Sequence, residues 1–204
     1  MKNIIYIIVA IVLLVVAVYT LSETGGSNEI YIKEIEKHRS QKDKDFLSEN
    51  PAFPLTPEQK KSFKGLNYFS ADINYKIEAE LEVLNEDSIL NFMTTTGEKQ
   101  KYVRYAYAHF QLANQKFHLT IYKSMDRLTK GILFVPFTDQ SNGKETYEGG
   151  RYLDVKSANG STMILDFNKA YNPYCAYNQT YSCPIPPREN HLKISLLAGE
   201  QTYK

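Results

Sequence analysis

The spacing of apolar residues changes character along the chain. Residues 4–21 read IIYIIVAIVLLVVAVYTL, with no charge, proline or glycine. As a helix rising about 1.5 Å per residue this stretch reaches about 27 Å, close to the hydrocarbon thickness of a bilayer. Such a helix pairs its own backbone polar groups, as lipid requires. Residues 22–28 (SETGGSN) are small and polar and predict a flexible tether. Residues 29–47 are dense in charge, with Ile32, Ile35 and Phe46 as sparse apolar positions. That pattern predicts an exposed helix with a thin apolar stripe and an otherwise solvated face, capped by Ser27 or Asn28 and ended before Pro51. Thr56, Pro57 and Gln59 have the layout of a capping box and predict a short helix to Phe63, closed by Gly65.

From Asn67 onward the period falls to two. Ile73, Tyr75, Ile77, Ala79, Leu81 and Val83 alternate with polar residues, which describes a half-buried strand. Further strands are expected at 87–95, 102–112, 116–122, 131–137, 147–155, 162–167 and 192–198. A turn at Gly97 and a short 113–115 connection separate some of them. Close spacing without long intervening helices favours antiparallel pairing. The expected fold is mainly β (α+β): a single antiparallel sandwich or partly closed barrel over 29–204, with leading helices. Residues 22–28 form the tether and residues 1–21 one transmembrane helix.

Composition narrows the function classes. The 204 residues suit one domain able to bury a core unaided. A net charge of +1 argues against a nucleic-acid grip. Lys2 and the amino terminus flank the apolar run, so the positive-inside rule leaves the start in the cytoplasm and the domain on the extracytoplasmic, periplasmic side. The alternative is a cleaved signal peptide and a released protein, although Val18–Leu21 makes a poor cleavage site. The exported part carries 23 charges of each sign, with no polybasic arm for anionic lipid.

Two segments concentrate candidate chemistry. Residues 134–153 bring Thr138, Asp139, Asn142, Glu145, Tyr147 and Arg151 onto adjacent strand ends, where carboxylate and guanidinium either bind a ligand or pair with each other. On the second reading Asn142-Gly143 is only a turn and Arg151 satisfies a buried Asp139. Residues 165–191 form a long loop rich in Asn, Pro and Tyr, contributing Asp166, Asn168, Asn172, Tyr177, Glu189 and Asn190. Cys175 and Cys183, eight positions apart, read as a disulfide, as two buried free thiols, or with His191 as part of a metal site of no standard spacing. Glu78, Glu80 and Glu82 read as a solvated strand face, and His109 and His118 as ordinary hairpin residues. No phosphate loop, serine elbow, paired-His zinc helix or dinucleotide fingerprint is present. These motifs leave cofactor, catalytic residues and ligand unassigned.

The stretches PFTDQSNGKETYEGGRYLDV (136–155) and LDFNKAYNPYCAYNQTYSCPIPPRENHLKISLLAGE (165–200), with FKGLNYF (63–69) and KQKYVRYAYAHFQL (99–112), resemble the bacterial and archaeal family called domain of unknown function 1684. The resemblance covers about residues 30–203 and leaves the apolar N-terminus outside. It implies a common fold unit without an established activity. It also implies that members lacking export signals keep the Cys pair, which moves the expectation from a disulfide toward structural thiols or a metal. The function expected is ligand or partner binding by a membrane-anchored extracytoplasmic domain through 138–151 and 166–190. The alternatives are a hydrolase acting on an envelope component through Asp139, Glu145 or Asp166 with Arg151 orienting an anion, and a structural envelope protein.

Overall fold

A computed structural model describes residues 2–85, 88–125, 132–156 and 160–203. The side chains of residues 2–5 and 7–25 lie outside that description. One helix, α1 (Lys2–Leu47), runs through the whole N-terminal region, so the expected tether at 22–28 is helical instead. Breaking and re-nucleating a helix costs about 4 kcal/mol, whereas Gly25 and Gly26 each cost about 1 kcal/mol against alanine. The expected span at 4–21 falls on side chains outside the described residues. Among the described residues no helix is long and apolar enough to cross a membrane.

The charged half of α1 exposes Lys33, Glu36, Lys37 and Lys44 but docks one side. Tyr31, Ile35 and Phe46 are buried, and Arg39 and Lys42 complete a stripe at helical spacing. Arg39 donates to the Phe69 carbonyl at 2.8 Å and lies 4.5 Å from the Tyr68 ring, while Lys42 pairs with Glu200 at 2.5 Å. Phe46 enters a cluster with Leu55, Leu66 and Tyr177. The stripe looked thin because Tyr31 and two cations do the docking. Tyr31 donates its hydroxyl to Asp166 Oδ1 at 2.7 Å and accepts from Asn168 Nδ2 at 2.9 Å. Tyr31→Phe should therefore lower stability by about 1–3 kcal/mol in urea unfolding, because it strips partners from two buried polar groups. An unchanged midpoint would mean that α1 is not held there.

Thr56 forms the expected capping box at the head of α2 (Pro57–Ser62). Among the described residues eight strands follow: β1 (Lys76–Val83), β2 (Ile89–Met93), β3 (Lys99–Leu112), β4 (Gln115–Ser124), β5 (Ile132–Asp139), β6 (Arg151–Lys156), β7 (Thr162–Asp166) and β8 (His191–Leu192). They make a single curled half-barrel sheet in the order β6-β5-β4-β3-β1-β7, with β2 added to β3 and β8 to β5. Every ladder is antiparallel except the short β5–β8 pairing. Residues 73–75 wind into a 3-10 turn, because the Asp72 side chain accepts the Asn74 N–H. The β3–β4 hairpin turns on two residues, Ala113 and Asn114, both at positive φ, one fewer than expected. Asp87 and Gly131, expected at strand starts, lie outside the described residues.

The expected strand at 192–198 is mostly irregular. Its backbone is recruited elsewhere: the Leu196 N–H donates to Asp139, and the Leu196 carbonyl accepts from Arg151. One sheet face carries an aliphatic core of Ala106, Leu119, Ile121, Val135, Leu153 and Leu165 with Phe137 and Phe167. The other carries an aromatic cluster, Phe92, Tyr102, Tyr122, Phe134 and Tyr152. This second face looks toward the C-terminal half of α1.

Candidate functional site

The first dense segment folds into a latch rather than an open site. β5 and β6 pair Phe137 with Arg151, and two residues further on Asp139 meets the guanidinium. Arg151 Nη2 donates to Asp139 Oδ2 at 2.9 Å, with both side chains fully buried. The same guanidinium donates to the carbonyls of Leu196, Ala198 and Glu200. Asp139 Oδ1 accepts from the Ser141 N–H at 2.8 Å, from the Ser141 hydroxyl and from the Leu196 N–H at 3.2 Å. Both oxygens of the buried Asp139 carboxylate are thus engaged inside the fold, and the two charges pair with each other. Burial pulls the Arg151 guanidinium down from its ordinary pKa, and the Asp139 charge opposes that.

Neighbouring candidates serve the same loop. Asn142 accepts from the Asp139 N–H at 2.5 Å and donates to Thr146 and the Tyr147 carbonyl. Thr138 bonds His191 Nδ1 at 2.9 Å. Glu145 is exposed, and its carbonyl accepts the Thr202 N–H. At Gly150, with φ near +88°, an added Cβ would lie 2.6 Å from the Phe137 carbonyl.

The second segment divides into struts. Asn190 Oδ1 accepts the Thr120 N–H, and its amide donates to the carbonyls of Thr120 and Pro136, all at 2.8 Å. It replaces the ladder where β4 and β5 splay apart, since they pair only at Tyr122–Phe134 and Lys123–Leu133. Glu189 takes the Tyr122 hydroxyl at 2.6 Å and pairs with Arg104 at 3.2 Å. Asp166 and Asn168 receive α1 through Tyr31. Asn172 and Tyr177 both donate to Glu200 Oε2. Asp139, Asp166 and Asn190 thus stand in separate networks.

The space that could hold a ligand lies between α1 and the aromatic sheet face: a cleft of about 990 Å³. Tyr102, Phe134 and Tyr152 line it from the sheet and Tyr171 and Tyr174 from the long loop. Lys42 and His38 of α1, Asp154 of β6 and Glu200 of the C-terminal tail add charge. Of the sequence-derived ligand candidates, Asn168 alone lines it, and Cys183 joins it from the pair of thiols. Asp154 is accessible within the cleft, yet the protein packed around it raises its carboxyl above the ordinary carboxylate range, opposed by the Tyr171 hydroxyl and Lys42. Tyr171 donates to Asp154 Oδ2 at 2.9 Å, and among the described residues no donor reaches Oδ1. Burial also lowers His38, helped by the charges of Lys169 and Lys42. Sequence reasoning passed over Asp154 because it reads as an ordinary outward position between Leu153 and Val155.

Cys175 and Cys183 are free and buried, without a disulfide. The Cys175 N–H donates to Cys183 Sγ at 3.2 Å, and the Tyr147 hydroxyl lies 3.8 Å from Cys175 Sγ. A hydrogen bond from Cys183 pulls the Cys175 thiol down to about 6, while the proton retained on Cys183 is held tightly by the same contact. Among the described residues no three His, Cys, Asp or Glu side chains gather as metal ligands, and His191 bonds Thr138.

A family model described as a protein of unknown function (DUF1684) matches residues 61–201. Among solved structures, the solution NMR structure of an uncharacterized protein of Haloarcula marismortui is similar at TM-score 0.66 and 35% identity, covering 85% of this chain and 95% of that one. No curated protein matches the chain.

Proposed function

We propose that this chain, which belongs to the DUF1684 family, binds a small molecule in the cleft between α1 and the aromatic face of the sheet. One observation carries the reading: a carboxylate with a raised pKa and an unoccupied oxygen stands on a wall of tyrosines in this cleft. Aromatic faces take a flat ring or the apolar face of a sugar, and Asp154 Oδ1 takes a hydroxyl or amine hydrogen from it. The long loop takes part through residues 168–171, 173–174 and 181–184, whereas 138–151 supports the fold. The domain is carried by residues 4–21 as a single membrane span on the extracytoplasmic side, a reading that rests on their uncharged, eighteen-residue apolar run.

Titration of the 15N-labelled protein with phenethylamine and with methyl glucoside tests the cleft. At least one probe should shift amides of Tyr102, Tyr152, Asp154 and Tyr171 together. Asp154→Asn should weaken that binding roughly tenfold, the loss of one charge-assisted hydrogen bond. The same variant should not lower stability at neutral pH. A carboxyl raised on folding adds stability below its unfolded pKa and loses it as pH rises through the folded value, so the neutral amide avoids that loss. Shifts scattered away from the cleft, or Asp154→Asn binding both probes unchanged, would sink the assignment. The hydrolase reading keeps one supporting feature, since a carboxyl raised in a cavity is also what a general acid needs.

A further inference from the structure

We infer that Cys175 and Cys183 form a redox-active dithiol that exchanges with small-molecule disulfides entering through the cleft. Three features of the structure converge on it. The sulfur of Cys183 lies 3.2 Å from the backbone nitrogen of Cys175, and the two thiols hydrogen-bond each other. Cys183 also lines the 990 Å³ cleft, which gives a disulfide a route to the pair although both residues are largely buried. Donors surround the pair: the Cys175 N–H reaches Cys183, and the Tyr147 hydroxyl reaches Cys175. Such donors stabilise a thiolate, the form that attacks a disulfide. Buried structural cysteines ordinarily sit among apolar groups that keep the thiol protonated. This pair instead loses its first proton near pH 6.

The reaction balances without any other oxidant. One cysteine thiolate attacks a sulfur of R–S–S–R, forming a mixed disulfide and expelling RS⁻. The second cysteine thiol passes its proton to that thiolate and attacks the mixed disulfide, releasing a second RS⁻, which takes back from solvent the proton that the first cysteine had lost on becoming a thiolate. Two cysteine thiols are oxidised and one disulfide is reduced to two thiols. The product ties the Cys175–Cys183 stretch, whose last three residues line the cleft, into a closed ring. The inference is independent of which molecule the cleft binds.

The test uses the full-length, natively folded protein and oxidised glutathione, quenched with acid, alkylated and read by intact mass. The expected result is loss of the mass of two hydrogens and of both alkylation sites. At pH 6 about half of such a pair is thiolate, against about 0.3% of an ordinary thiol. Its lower nucleophilicity offsets that by about 15-fold, leaving exchange about tenfold faster than for an unperturbed thiol. Cys183→Ser and Cys175→Ser should each stop at a single trapped glutathione. The wild-type mass change alone decides the matter if either variant fails to fold. Thiols that react only after unfolding, or that each take up a glutathione without closing the ring, would overturn the proposal.

Discussion

Arg151→Met is expected to destabilise the domain by about 3–5 kcal/mol in chemical denaturation, the largest effect of any single change proposed for this chain. The substitution keeps the volume and the apolar stem but removes a fully buried cation. Asp139 is then left as a buried carboxylate facing its Ser141 and Leu196 donors without its counter-charge. The carbonyls of Leu196, Ala198 and Glu200 also lose a donor. Breaking one partner of a buried pair costs far more than the pair itself contributes, because the orphaned charge stays desolvated. Arg151→Lys should recover only part of the loss, since an ammonium cannot reach four acceptors spread across a planar fork. A variant as stable as the wild type would mean the guanidinium is solvated, and the 138–151 segment would return as a candidate ligand site.

Asn190→Ala should lose about 3 kcal/mol, the low end of about 1–3 kcal/mol for each of three backbone groups left buried and unpaired. The Thr120 N–H, the Thr120 carbonyl and the Pro136 carbonyl all depend on this one amide. Pro136 has no N–H, so β4 and β5 cannot repair the gap by closing their own ladder there. Hydrogen exchange at Thr120 should accelerate in the variant while amides of the β1–β3 ladder stay protected. Uniform loss of protection would instead mean that the whole sheet opens as one unit.

The half-buried sheet was readable because alternation is enforced wherever one face meets the core. Ile77, Ala79, Ala106 and Ala108 show it directly. The capping box at Thr56 was readable because it is local. The terminal strand was not, since Leu196 and Ala198 pack into the core while their backbone oxygens go to Arg151 instead of a ladder. Asp139 and Arg151 stood out in sequence, and their turn chemistry and mutual pairing were one of two readings. The cleft could not have been found that way. It joins Lys42 of a charged helix, Asp154 of an ordinary strand, Tyr171 of a loop and Glu200 near the end of the chain, and no local pattern links residues up to 158 positions apart. Tyr31 was missed because its hydroxyl, rather than hydrophobicity, docks α1.

The latch also sets an order on biosynthesis. Arg151 takes its carbonyl partners from residues 196–200, and Lys42 takes its carboxylate from Glu200. A ribosome makes those residues after residue 151. Until they emerge, the nascent sheet holds a guanidinium short of three carbonyl partners and an α1 whose Lys42 still lacks its carboxylate. Stopping translation before Leu196 would therefore deny the sheet and the helix the same missing piece.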